Sequence, residues 1–407
     1  MPNNLIILSE SSSFPWGMAA SNRVRNLAKV LLKENWDVEY AGLRGADIPK
    51  DKKTKFSSIG KIDNIPFIYP GGFTVRSNSW WFRRIDDILG FFGIFIFFIF
   101  KKIKRKVECV IIYSRSTNVV KFWSHFLHLL NIPVILELCE WPLAIAETSG
   151  KGHKNASHFC EDVVPLVDAV LPISSYISHE VYRISLKKNV YIPSFQIPIL
   201  IDNVYHTSRD SNFSSDKFLL YCGSIAYMDI AKIVVDIIYE LKKRNIHIPI
   251  KFTGREDNAR ITELKLYAKN RGVLSLFEFT GFLDENDLFN LMRKATCLLA
   301  PLPENLQSQS RFPTKIGYYL ASGTPILTNA VGDVKHYLKD KINAFIVENC
   351  DSRQFAAKIE TILNDQELSK NVGLFGKDLA FEKFHYRCAC LGLGEFLRQV
   401  VQNYRNS

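Results

Sequence analysis

Residues 311–333, RFPTKIGYYLASGTPILTNAVGD, hold a helix start, a short apolar-faced run, a Gly-Thr-Pro break and the strand-like ILTN. That is the helix-then-strand half of an α/β unit, and it sets the reading of the chain around it. Pro313 suits the first helical position, where its fixed φ fits and its missing N–H would have no partner in any case. Arg311 and Lys315 then flank or enter the first turn. The macrodipole already places about half a positive charge there, so cations sit at the unfavourable end. Two accounts are open. Either the free N–H groups and both cations hold an anion such as a phosphate, or the two side chains bend back into water.

Upstream the same alternation repeats: FLLYCGS (218–224), a helix carrying Ile233, Val234, Ile237 and Leu241, IPIKFTG (248–254), a helix near 259–271, SLFEFTG (275–281), DENDLFNLMRKA (284–295) and TCLLAP (296–301). The first half of the chain matches it. LIIL (5–8) precedes a helix with Val24, Leu27 and Leu31 on one face, and DVEYAG (37–42), VECVIIYSR (107–115), PVILELC (133–139), DAVLPIS (168–174) and NVYIPS (189–194) read as further strands. Alternation of this kind predicts mostly parallel sheets with helices on both faces. Residues 208–217, SRDSNFSSDK, are polar and aperiodic and read as a linker. The expected fold is therefore α/β, with two doubly wound, Rossmann-like domains at 1–207 and 208–380. A C-terminal segment, 381–407, carries a helical run around Phe396 and Val400. Ligand is expected in the cleft between the domains, at loops from the carboxyl ends of strands.

One segment departs from the pattern. Residues 80–106, WWFRRIDDILGFFGIFIFFIFKKIKRK, hold an uncharged run of thirteen residues, 88–100. A bilayer-spanning helix needs about twenty. Trp80 and Trp81 on one side and KKIKRK on the other suit an element lying against anionic lipid; a buried helix with a solvated basic exit is the alternative.

The chain has 407 residues, 47% hydrophobic and 23% charged, enough for two cored domains. Its net charge of +11, from 52 Lys and Arg against 41 Asp and Glu, implies an anionic partner: nucleic acid, lipid surface or phosphorylated substrate. Eight cysteines stand without a Cys-x-x-Cys pair or a repeated Cys/His spacing, which signals neither zinc nor a disulfide framework and fits a reducing compartment. MPNNLIILSESSS reads as a first strand and not as a secretion signal.

Three strands of the second half end in glycine: Cys222-Gly223-Ser224, Thr253-Gly254-Arg255 and Thr280-Gly281-Phe282. Such glycines let a backbone approach a ligand, or simply make a turn. No Gly-x-Gly-x-x-Gly follows the first strand, and no P-loop, Asp-x-Asp or Gly-x-Ser-x-Gly motif is present. A dinucleotide redox enzyme, a P-loop NTPase and a serine hydrolase are thereby disfavoured.

GMAASNR (17–23), ELCEWP (137–142), DAVLPIS (168–174), Ile192-Pro193 with Asp202, and above all RFPTKIGYYLASGTP (311–325) together resemble the successive landmarks of family 4 glycosyltransferases of the GT-B fold, the glycosyl transferases group 1. The resemblance implies transfer of a sugar from a nucleotide-diphosphate sugar to a glycan or lipid-linked acceptor, with retention and without an obligatory metal or other cofactor. It implies work on cell-surface polysaccharide and not on nucleic acid; the apolar and basic segment 80–106 and the basic surface place that work in the cytoplasm or peripherally on the inner face of an anionic membrane. Arg311 and Lys315 would stabilise the leaving diphosphate. Gly17, Gly223, Ser224, Gly254, Arg255, Gly281, Phe282, Ser310 and Tyr318 would line the donor site. Asn22, Arg23 and Glu137 would lie on the acceptor side, with Glu140 the favoured catalytic carboxylate. The last helix would cross back onto the first domain.

The chain also departs from the family. Two glutamates eight positions apart are common there, and Ser310 and Tyr318 occupy those positions here. Two other readings follow: a silent GT-B-shaped assembly partner of glycan enzymes, which need not bind a nucleotide diphosphate, and a sugar-nucleotide epimerase, which would need an acid/base set in the cleft.

Overall fold

The computed structural model describes all residues except 1–2, 11, 17–18, 47–56, 105, 203–216, 226, 255–257 and 407. The chain divides into two compact units, Met1–Asp202 with Tyr386–Ser407, and Asn203–His385.

The first unit is built on seven strands: β1 (Asn3–Ser9), β2 (Trp36–Gly42), β3 (Ile59–Ile62), β4 (Ile65–Ile68), β5 (Cys109–Tyr113), β6 (Val134–Leu138) and β7 (Ala169–Pro172). Their order is β3-β4-β2-β1-β5-β6-β7, parallel throughout except for the β3–β4 hairpin. The turn of that hairpin is Asp63-Asn64, both at positive φ (48° and 65°), the conformation a two-residue turn needs to match strand twist. The first helix, Ala19–Lys33, turns Val24, Leu27, Ala28 and Leu31 onto the sheet, and these join Leu5, Ile7 and Ile111 in the core. Helix Leu393–Asn406 completes that core with Leu393, Leu397, Val400 and Val401, and Trp36 Nε1 donates to the Gly394 carbonyl at 3.1 Å.

Residues 189–194, expected as a strand, form only an isolated bridge from Ser194 to Val170. Val170 N donates to Pro193 O and Phe195 N to Val170 O, but Pro193 has no N–H to extend the ladder.

The second unit carries β8 (Leu219–Cys222), β9 (Ile250–Thr253), β10 (Phe277–Gly281), β11 (Cys297–Ala300), β12 (Ile326–Asn329) and β13 (Phe345–Val347). The sheet is wholly parallel with order β10-β9-β8-β11-β12-β13. The chain winds outward from β8 to β10 and then returns to lay β11 on the other side of β8. That reversal opens a crevice at the carboxyl ends of β8 and β11, the usual ligand site of such sheets.

Candidate diphosphate site at the β8/β11 switch point

Residues 306–321 fold over the carboxyl end of β8. Asn305 caps the helix Leu306–Ser310, its Oδ1 accepting from Ser308 N at 2.9 Å. Arg311 is extended (φ −123°, ψ 158°) and ends that helix, and Pro313 takes the position just before the next one, Thr314–Ala321. Pro313 therefore precedes the first turn instead of opening it, and Lys315 is the second residue of the helix. Tyr319 fastens the helix to the sheet: its hydroxyl accepts from Cys222 N at 2.7 Å at the end of β8.

The anchoring brings two cations together over aromatic rings. Lys315 Nζ lies 4.4 Å from the centre of the Tyr221 ring, and Arg311 Cζ lies 5.4 Å from that of Tyr227. No carboxylate pairs with either among the described residues, and the buried Nε of Arg311 has no hydrogen-bond partner. Burial, reinforced by the neighbouring Arg311, pushes the Lys315 amino group down to about 8. Ring faces stabilise cations only modestly. The site is thus short of negative charge at a helix start, where N–H groups face outward.

Of the other residues expected on the donor side, Ser310 is buried with its hydroxyl donating to Gln307 O at 3.4 Å, and Tyr318 is half-buried. Ser224 and Phe282 are exposed. Gly17 and Arg255 lie outside the described residues. The strand-end glycines have a physical account within the chain itself. Gly223 N donates to Thr253 O at 3.0 Å and Gly254 N to Gly281 O at 3.1 Å, so the three strand ends stack on one another. A Cβ on Gly254 would overlap the Gly223 carbonyl, and Gly281 sits at φ +70°. Gly254→Ala is accordingly expected to lower stability by about 1–3 kcal/mol, read as a fall in the denaturant midpoint.

In the first unit, Arg23 and Glu137 are buried against each other, Nε to Oε1 at 2.8 Å. The other Arg23 nitrogens donate to the carbonyls of Pro198 and Ile197, tying the first helix and β6 to the 197–198 segment. Burial pushes the Glu137 carboxyl up and the Arg23 charge opposes it. Glu140, just past the end of β6, is half-exposed and paired with Arg115, while Asn22 is half-buried. The strand ends at Leu138, so Glu137 is held in the sheet and buried while Glu140 leaves with the following bend toward solvent. Tyr221, Tyr227 and Tyr319 were not singled out from the sequence. The available signal was a tyrosine inside an apolar strand and one on a buried helix face, since a buried phenol seeks a polar partner.

Residues 206–378 match the family described as "Glycosyl transferases group 1". The chain is 23% identical over 276 residues to the uncharacterized glycosyltransferase MJ1178 of Methanocaldococcus jannaschii, covering 67% of this chain and 70% of that one. In structure it is similar to the sucrose-phosphate synthase of Thermosynechococcus elongatus, with a TM-score of 0.76 at 14% identity over 98% of this chain and 100% of the other. It is also similar to Anabaena HepE in complex with UDP, with a TM-score of 0.66 at 13% identity over 98% and 100%. The fold is GT-B, two parallel-sheet, Rossmann-like α/β domains. Family match and fold together support a glycosyltransferase.

Proposed function

We propose that the protein is a family 4 retaining glycosyltransferase that moves a sugar from a nucleotide-diphosphate sugar to a glycan or lipid-linked acceptor of cell-surface polysaccharide, at the cytoplasmic face of a membrane and without an obligatory metal. The observation that carries the reading is the pair Arg311 and Lys315, uncompensated by any described carboxylate, beside a helix start at the β8/β11 switch point. When the bond to the sugar breaks, negative charge grows on the leaving diphosphate. Preorganised cations and helix N–H groups aimed at that charge lower the barrier without having to reorient. Tyr319 and the stacked strand-end glycines hold the helix and loops in place. The similar HepE structures hold UDP and UDP-glucose, which makes a uridine nucleotide the first to test.

The absence of carboxylates at Ser310 and Tyr318 favours one second reading, a catalytically silent binding partner of glycan enzymes. Calorimetric titration of the whole protein with UDP and GDP separates the two. Saturable binding of either, followed by nucleotide release from the matching sugar donor, is expected of the enzyme. A folded protein that binds neither would overturn this proposal.

A further inference from the structure

We propose that the outer face of helix Trp80–Ile103 docks the protein onto an anionic lipid bilayer, with the helix lying lengthwise in the interface. The proposal deepens the membrane placement given above by naming the surface that would make it, and it rests on residues with no part in the diphosphate site.

The rotation of this helix is fixed by its inner face. A Cβ on Gly90 would overlap the Leu43 carbonyl, and one on Gly93 would come within 2.7 Å of Pro70 Cβ, so the helix lies against the loops that follow β2 and β4 at backbone distance. Asp86 is buried in that seam, its Oδ2 accepting from Gly45 N at 3.0 Å and from Arg76 at 3.4 Å. Ile94 and Phe98 are buried beside it, and Phe95 stacks on Phe126 at 4.4 Å.

With those residues inward, the opposite side carries Trp81, Ile85, Ile88, Phe92, Ile96 and Ile103, spaced three, four or seven apart and 43% to 73% exposed. A helix packed on a core ordinarily turns polar residues to that side. A continuous apolar stripe along about 36 Å of helix marks an interaction surface.

Charge identifies the partner. Residues 80–106 hold seven Lys and Arg against two Asp. Both aspartates are engaged, Asp86 as above and Asp87 with Arg76 at 2.8 Å. Arg83 and Arg84 are exposed at one end, and Lys104 and Lys106 at and beyond the other. A second copy laid face to face, in either direction, would set cations against cations. An anionic bilayer accepts the apolar stripe between its headgroups and both basic ends at once, with Trp80 and Trp81 at the boundary. No described helix is long and apolar enough to cross a membrane, so the fit is lengthwise.

The test is co-sedimentation of the whole protein with phosphatidylcholine vesicles, with and without phosphatidylglycerol. Binding to the mixed vesicles, weakened by salt, is expected. The triple variant Ile88→Ser, Phe92→Ser, Ile96→Ser, at exposed positions, is expected to lose at least about tenfold of that binding while its thermal midpoint and UDP titration stay unchanged. Lys104→Glu with Lys106→Glu is expected to remove the salt-sensitive part, and it keeps the question answerable should the triple variant misfold. The proposal is overturned if wild-type protein ignores the mixed vesicles, or if folded variants bind them equally well. Lipid-free self-association of wild type that the triple variant abolishes would assign the face to a second copy and overturn it too. None of these outcomes depends on nucleotide binding.

Discussion

Replacing Arg311 and Lys315 together by alanine is expected to abolish measurable UDP or GDP binding, with each single change weakening it roughly 10- to 100-fold. Under the proposed function each cation would make a charge-assisted contact worth about 1.5–3 kcal/mol, and tenfold in affinity is about 1.4 kcal/mol. Calorimetric titration reads the effect directly. Lys315 adds a pH signature. Its amino group, held down to about 8, must be protonated to serve the diphosphate, so affinity is expected to decline as pH rises through about 8.

The same group opposes folding in the absence of ligand. Its folded pKa lies below the unfolded value, so between them the unfolded chain binds more protons and stability rises with pH from about 8 toward the ordinary lysine range. Below 8 the cost is fully present. Lys315→Met, which keeps the side-chain volume and deletes the charge, is expected to stabilise the ligand-free protein by about 1–3 kcal/mol, partial exposure reducing the full effect. It should also remove the thermal stabilisation that added UDP confers on wild type. A denaturant midpoint that falls would show that the charge is already compensated without ligand.

The second large effect belongs to the first unit. Glu137→Ala is expected to cost about 3–5 kcal/mol, because it leaves the Arg23 guanidinium buried with only the Pro198 and Ile197 carbonyls as partners. Arg23→Met with Glu137→Leu is expected to recover most of that loss, since it removes both buried charges and refills the space. Chemical denaturation of the single and double variants decides this. If Glu137 instead contacted the acceptor, the single variant would lose kcat/KM at an unchanged midpoint.

Much of the fold is legible in the order of apolar segments. Strands such as LIIL, FLLYCGS and TCLLAP read as continuous apolar runs because a parallel sheet covered on both faces buries every side chain of a strand. The hairpin β3–β4 and the short β13 are less legible: β3 is largely exposed and β13 has only three residues, so neither imposes a strong pattern. Residues 189–194 differ for the opposite reason, an apolar run whose Pro193 leaves only one bridge.

By itself the sequence determined which residues meet in the chain: Arg311 and Lys315 around Pro313, the strand-end glycines, and an apolar run with cations on both sides. Those depend on neighbours within a few positions, where backbone preference and charge act directly. Tertiary structure decided what each of them faces. Crossing the chain over at β8/β11 set Tyr221 and Tyr227 beneath the two cations and left the Arg311 Nε without a partner. In the first unit, packing between distant segments closed Arg23 onto Glu137, 114 positions away. It turned the seam of Gly90 and Asp86 inward, so that the apolar stripe of the 80–103 helix faces out. A side chain's partners across the sheet are set by packing between segments far apart in sequence, and local pattern carries no record of them.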